Sequence, residues 1–321
     1  MKRAPASAKG QRPALNMDLP SAVALAARNG DIDAVREWLA AGGAPNAIRR
    51  NGTITLLGHA CISSRPSSAD VAEILCAAGA RDEGGHGDGM CLACAALYGA
   101  VDTVRVLLRY GASANATFSN ATTALHQAVC ANEWNLYKNP WTIDKAKAAT
   151  SLGHQGIVRL LLKHGAAVHA VTATERSTPL MIAADRSGFV SLGVVKELLR
   201  GGADLDLVDA NGNNAEAIAR SRLSFDVYTG EGIPKHPSCC RRPGGVEAFL
   251  ALLADVRAAG SWKRYANEPR VQLVVLRKLA ETGRARVPRY HCLHTRLFAR
   301  RTLPDVLFWK ILEFWRTDRD P

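Results

Sequence analysis

A short apolar helix ending in Gly-Ala, or a near equivalent, recurs five times along the chain, and this repetition limits the fold more than any other feature. The copies run Val35–Gly43, Val71–Ala80, Val104–Ala112, Ile157–Ala166 and Val194–Ala203. Their closing glycines stand at 42, 79, 111, 165 and 202, at intervals of 37, 32, 54 and 37 residues. A smaller helix precedes each copy: Ala22–Ala27, Leu56–Cys61, Cys91–Ala96, Ala124–Val129 and Pro179–Ala184. The first helix of each pair is built from Ala and Cys, which lets neighbouring units approach closely. The second supplies the Leu, Ile and Val of a continuous core, and its terminal glycine stops it in a left-handed conformation without a Cβ clash. Thr178 is placed to cap the fifth small helix, with Pro179 at the first helical position, where a missing N–H costs nothing.

These residues resemble the ankyrin repeat, a unit of about 33 residues with a Thr-Pro-Leu-His-x-Ala opening and a Leu-Leu-x-x-Gly-Ala end. Thr178-Pro179-Leu180 and Thr123-Ala124-Leu125-His126 carry the opening, and all five ends carry the close. The resemblance implies an all-α fold, a solenoid of five to six helix-pair repeats, with a worn sixth unit from Asp209 through Ala219. It also implies a helical C-terminal cap or appendage, because one unit alone cannot bury its apolar face and the last one needs a lid.

The organisation read from the chain is a disordered basic arm over 1–19, repeats over 20–222, a polar loop over 223–245, and a helical basic segment over 246–321. The 54-residue interval places an insert at 132–151, in the fourth repeat, carrying Trp134, Tyr137 and Trp141. Those aromatics either hold the insert together or form an exposed anchor for a partner. Net charge is +12 overall, but residues 21–260 are nearly neutral, whereas 261–321 hold fourteen Lys/Arg against six acids. The arginines Arg284, Arg286, Arg289, Arg296, Arg300 and Arg301 are scattered among few stacking aromatics. They read as a solvated basic face or a localisation signal rather than a nucleic-acid site.

Two apolar helices are readable near the C-terminus, 270–279 and 304–315. In the second, Leu307, Ile311, Phe314 and Trp315 share one face. The run from Leu303-Pro304 through Leu312 resembles the Leu-Pro-x-Glu-hydrophobic start of an F-box-like segment, with Val306 where that motif has its acid. Helix 270–279 followed by Leu303-Pro304 is loosely similar to a SOCS box without its cysteine. Either resemblance implies docking to a cullin-type ubiquitin ligase through Leu303, Pro304, Leu307, Ile311 and Phe314. The alternative is that both helices cap the repeats.

No nucleophile elbow, phosphate-cradling loop or His-Glu-x-x-His helix appears, and the reading expects no catalytic residue and no cofactor. Cys91-x-x-Cys94 lies inside a small helix where packing demands small residues, and no second pair stands at zinc-site spacing. A looser set, His236, Cys239, Cys240, His291, Cys292 and His294, has no spacing that demands a metal, so none is expected. His126 takes the histidine position of the repeat opening, a structural role. The eight cysteines follow no disulfide framework and read as reduced thiols of a cytoplasmic or nuclear protein. No stretch approaches the roughly 18 apolar residues of a membrane span, and no apolar run follows the basic residues of the first twenty, so neither a span nor a secretory signal is expected.

The function that the resemblance implies is non-catalytic binding of a partner protein. Candidate contacts are Arg28, Asn29 and Tyr98 just after the small helices, with the turn tips Arg49, Arg50, Asn51, Phe118, Glu175 and Arg176. The insert residues Trp134, Tyr137 and Trp141 join them.

Overall fold

The computed structural model describes residues 19–48, 54–63, 65, 67–81, 83–84, 87–130, 143–186, 191–225 and 245–281. The chain divides into two units, Met1–Thr174 and Glu175–Pro321.

In the first unit, four small helices, α1 (Ser21–Asn29), α3 (Leu56–Cys61), α5 (Met90–Leu97) and α7 (Ala124–Val129), alternate with α2 (Ile32–Ala40), α4 (Ser67–Ala77), α6 (Val101–Arg109) and α8 (Ile143–Lys163). Each small helix packs on the longer helix that follows it. The small helices also pack on one another in order, α1 on α3, α3 on α5, α5 on α7, and so do the longer ones, α2 on α4, α4 on α6, α6 on α8. The inner row is therefore α1, α3, α5 and α7, and the outer row is α2, α4, α6 and α8.

Local chemistry sets the ends of these helices. The Asp31 carboxylate accepts from Ala34 N at 3.1 Å, and Thr55 Oγ1 from Gly58 N at 3.1 Å, each filling one orphan donor of a first turn. At the other end, Gly42, Gly79, Gly111 and Gly165 all take positive φ. Gly79 has no atom within 4 Å of where a Cβ would sit, so its backbone conformation, not space, calls for glycine there. Leu56, Leu57, Leu75, Leu92, Leu107, Leu125, Ile157 and Leu161 are the fully buried large side chains of this unit, each contributing roughly 1.5–3 kcal/mol of transfer free energy.

Short antiparallel pairs lie between one helix pair and the next. Ile48 bridges Thr55, β1 (Glu83–Gly84) pairs with β2 (Gly87–Asp88), and β3 (Thr117–Phe118) pairs with β4 (Thr122–Thr123). These two-residue strands leave the architecture mostly helical.

Residues 143–151, placed by the sequence in the fourth-repeat insert, are the first part of α8. Trp134, Tyr137 and Trp141 lie outside the described residues.

The second unit holds α9 (Pro179–Asp185), α10 (Leu192–Arg200), α11 (Ala215–Phe225), α12 (Gly245–Ala259) and α13 (Trp262–Glu281). Thr178 Oγ1 accepts from Met181 N at 3.3 Å, with Pro179 inside the first turn. Helix α9 packs on α10 and α11, and α11 packs on α12. Residues 245–259 are thus the outer partner of α11, although a polar stretch of the sequence separates the two. Helix α13 lies against α12 and α10, with the buried Tyr265 ring 5.5 Å from that of Trp262. It begins eight residues before the helix read at 270–279. Leu303, Pro304, Leu307, Ile311 and Phe314 lie outside the described residues.

Candidate functional site

A repeated asparagine locks successive turns together in the first unit. Asn46, four residues past Gly42, donates from Nδ2 to Gly79 O at 3.5 Å and accepts at Oδ1 from Arg81 N at 3.1 Å. Asn115, four residues past Gly111, does the same one stage on: Nδ2 donates to Gly165 O at 2.9 Å and Oδ1 accepts from Ala167 N at 2.7 Å. The tips beyond them are joined as well. Strand β2 lies beside β3, Ala173 N donates to Asn120 O at 3.0 Å, and the Asn120 side chain bonds both the N–H and the hydroxyl of Thr174. A surface made from loops is thereby fixed by asparagine side-chain and backbone hydrogen bonds, and ordering it on binding costs little conformational entropy.

The inner helices leave one narrow stripe uncovered. In α3 every residue is buried except His59, with Ile62 half-buried just after it. In α5 only Cys94 and Leu97 escape burial, and in α7 only Gln127, with Cys130 following. Each pair stands at i and i+3, so both members share one helix face. The matching pair on α1 is Leu25, 58% exposed, and Arg28. Because α1, α3, α5 and α7 lie side by side, these pairs form two parallel rows across the unit, Leu25–His59–Cys94–Gln127 and Arg28–Ile62–Leu97–Cys130.

Four of the sequence-derived candidates, Arg28, Asn29, Tyr98 and Phe118, lie on the elements that carry or flank this stripe. Arg28 and Asn29 are exposed at the C-terminal end of α1, where the Asn29 carbonyl accepts from Arg65 Nη1 at 3.4 Å. Tyr98 caps the C-terminal end of α5 and is half-buried. Phe118 lies beyond the opposite, N-terminal ends of the inner helices, in β3 opposite Thr122. An eight-residue helix such as α5 is about 12 Å long, so Tyr98 and Phe118 mark two ends of one face rather than a single cluster.

Glu175 and Arg176 belong to the second unit, both exposed in the turn before α9. The Glu175 carbonyl accepts from Ala210 N at 2.9 Å, which ties this turn to the next, and Arg176 takes φ +52°. Arg49, Arg50 and Asn51 lie outside the described residues. The stripe residues Leu25, His59, Leu97 and Gln127 and the asparagine locks were not singled out by the sequence reading, and Cys94 was weighed only as half of a Cys-x-x-Cys pair. The Gly-to-Asn spacing of four was the signal available for the locks.

Of the residues weighed for chemistry, His126 and Cys91 are used in packing, whereas His236, Cys239, Cys240, His291, Cys292 and His294 lie outside the described residues. His126 is fully buried, and its Nδ1 lies 3.1 Å from Thr123 N and 2.9 Å from Thr123 Oγ1, closing the cap of α7. Cys91 is buried with Sγ 3.9 Å from Thr55 Oγ1, while Cys94 is on the stripe. Among the described residues no group of three or more His, Cys, Asp or Glu side chains is placed to hold a metal ion, and no helix is long and apolar enough to cross a membrane.

The ankyrin repeat family model matches residues 147–173 and 175–210. The first stretch covers most of α8 and the turn after it, the second α9, α10 and the turn that follows, one in each unit. No curated protein matches the chain.

Proposed function

We propose that this chain is a non-catalytic protein-recognition module. It binds a partner protein through the uncovered stripe of its inner helices and the locked turn tips beside it. The single observation behind this reading is the stripe itself, half-exposed side chains on α3, α5 and α7, whose other residues are buried, continued by Leu25 and Arg28 of α1 and set next to tips held rigid by Asn46, Asn115 and Asn120. The ankyrin repeat match supports the same class of role. Arg28, Tyr98 and Phe118 are the earlier candidates that border the stripe, and a Tyr or Arg on a rigid frame is the type of residue that dominates binding energy. Glu175 and Arg176 would serve the second unit in the same way.

The test is affinity capture with the full chain, repeated with Leu97→Glu and Gln127→Glu on the stripe and with Arg105→Glu on the outer face as control. A partner retained by wild type and the control but lost by the stripe variants, at unchanged unfolding temperature, is the expected result. Equal loss in the outer-face control would overturn it. A cullin assembly that co-purifies with the full chain and disappears on removing residues 282–321 would instead favour ligase docking through Leu303, Pro304, Leu307, Ile311 and Phe314.

A further inference from the structure

Charge is distributed very unevenly around the second half of the first unit. From Gly111 to Cys130, twenty consecutive residues covering the β3–β4 tip and the whole of α7, there is no Asp, Glu, Lys or Arg. At the chain average of 22% charged, about four would be expected. Helix α5 and Tyr98 carry none either, nor does the adjoining turn from Ala166 to Thr174. The outer helices hold the charge instead, and they pair it: Arg105 with Asp102 at 2.6 Å, and Arg109 of α6 with Glu73 of α4 at 3.0 Å. The corresponding face of the second unit differs, since Arg222 of α11 pairs there with Asp185 at the end of α9.

From this we infer that the α5–α7 part of the stripe, with the β3–β4 tip, takes a peptide segment whose contacting side chains are apolar and uncharged. The inference rests on the protein-recognition reading above and specifies its partner. What the surface offers is Leu97, Tyr98 and Phe118 as apolar area, Cys94 and Cys130 as soft apolar contacts, and Gln127, Thr117 and Ser119 as neutral hydrogen-bonding groups. A carboxylate or ammonium brought onto α5, α7 or the β3–β4 tip would lose hydration and meet no opposite charge on those elements; the acids Glu83 and Asp88 belong to the neighbouring β1–β2 pair. An aliphatic or aromatic side chain loses only unfavourable water contact. Binding of this kind is insensitive to salt, because no exposed ion pair is there to be screened.

The experiment is selection of a random dodecapeptide library displayed on phage against the immobilised full chain. Kd is then measured by fluorescence anisotropy for the selected peptides at low salt and at roughly tenfold higher ionic strength. The peptides expected are rich in aliphatic and aromatic residues without a recurring charge. Their Kd should change less than about twofold with salt. It should rise at least about tenfold in Leu97→Glu and Gln127→Glu, each of which places a carboxylate on the face. Arg105→Glu on α6 should leave it unchanged. Gln127→Glu alters a half-exposed polar side chain and keeps the test decisive if Leu97→Glu unfolds. Peptides that share a conserved acidic or basic residue and weaken steeply with salt, yet still respond to the stripe variants, would overturn the inference and leave the recognition reading standing. Peptides indifferent to both stripe variants would sink both.

Discussion

His154, on α8, reaches back fifty-seven residues to place Nε2 3.1 Å from the carbonyl oxygen of Leu97 at the end of α5. The imidazole is buried beneath Gly99, where a Cβ would stand 3.2 Å from its Cε1, and the neighbouring Gly153 would carry a Cβ 3.1 Å from the Gly99 carbonyl oxygen. Two glycines and one histidine thus seat α8 against the end of α5. His154→Ala should remove a buried partner of that carbonyl and open a void, at a cost of about 1–3 kcal/mol. Urea denaturation of the variant checks this, and an unchanged midpoint would mean that the contact carries no stability.

The asparagine locks give a second expectation. In Asn115→Ala both hydrogen bonds to the turn after α8 are lost, each worth about 0.5–1.5 kcal/mol net. Amide exchange at Ala167, whose N–H is bound by Asn115 at 2.7 Å, should accelerate strongly, while the amides inside α5 keep their protection. Asn46→Ala should act in the same way at Arg81. Exchange at Ala167 as slow as in wild type would refute the lock.

How far the molecule was legible beforehand varies by element, for physical reasons. The closing glycines and the Thr178-Pro179 cap were readable because each answers a backbone requirement that few residues meet. The stripe was not. In α5 the half-exposed Cys94 and Leu97 stand among Cys91, Leu92, Ala95 and Ala96, all buried, so no polar residue marks the open side. Helix α8 begins earlier than its apolar pattern because Asp144, Lys145 and Lys147 interrupt the periodicity while still favouring or tolerating helix. The pairing of α11 with α12 is a contact across residues 226–244, and no local pattern reports a contact at that separation. Two-residue strands are too short to show alternation.

Gly89 is under two constraints at once. It takes φ +99°, and a Cβ there would lie 2.6 Å from the Ala116 Cβ and 3.1 Å from the Ala116 carbonyl oxygen, where adjacent turns nest. Gly89→Ala should destabilise the chain by about 2 kcal/mol or more, combining left-handed strain with a displaced tip. Adding Ala116→Gly should recover only part of the loss, since it relieves the Cβ clash and not the backbone strain, and the double-mutant cycle would show that coupling. Full recovery would mean that φ is not a contributor.

The turns before α7, α9 and α11 each have a left-handed residue two positions ahead of the N-cap, and the three differ in chemistry. Ala121 (φ +54°) precedes Thr123, Arg176 (φ +52°) precedes Thr178, and Gly212 (φ +79°) precedes Asn214. Only the last residue type adopts this conformation freely. Arg176→Gly should therefore stabilise the chain by about 0.5–1 kcal/mol, a gain moderated by the added freedom of glycine in the unfolded state. Gly212→Ala should destabilise it by a similar amount. Thermal unfolding of the two variants is the measurement, and shifts of the same sign would contradict the assignment. Arginine held in a strained tip, exposed and bound to no other described side chain, is also where stability and recognition are expected to oppose one another. Arg176→Gly that raises the unfolding temperature and weakens partner capture would place Arg176 in the second unit's binding surface. A variant that gains stability and captures the partner undiminished would make Arg176 a strained residue with no part in binding.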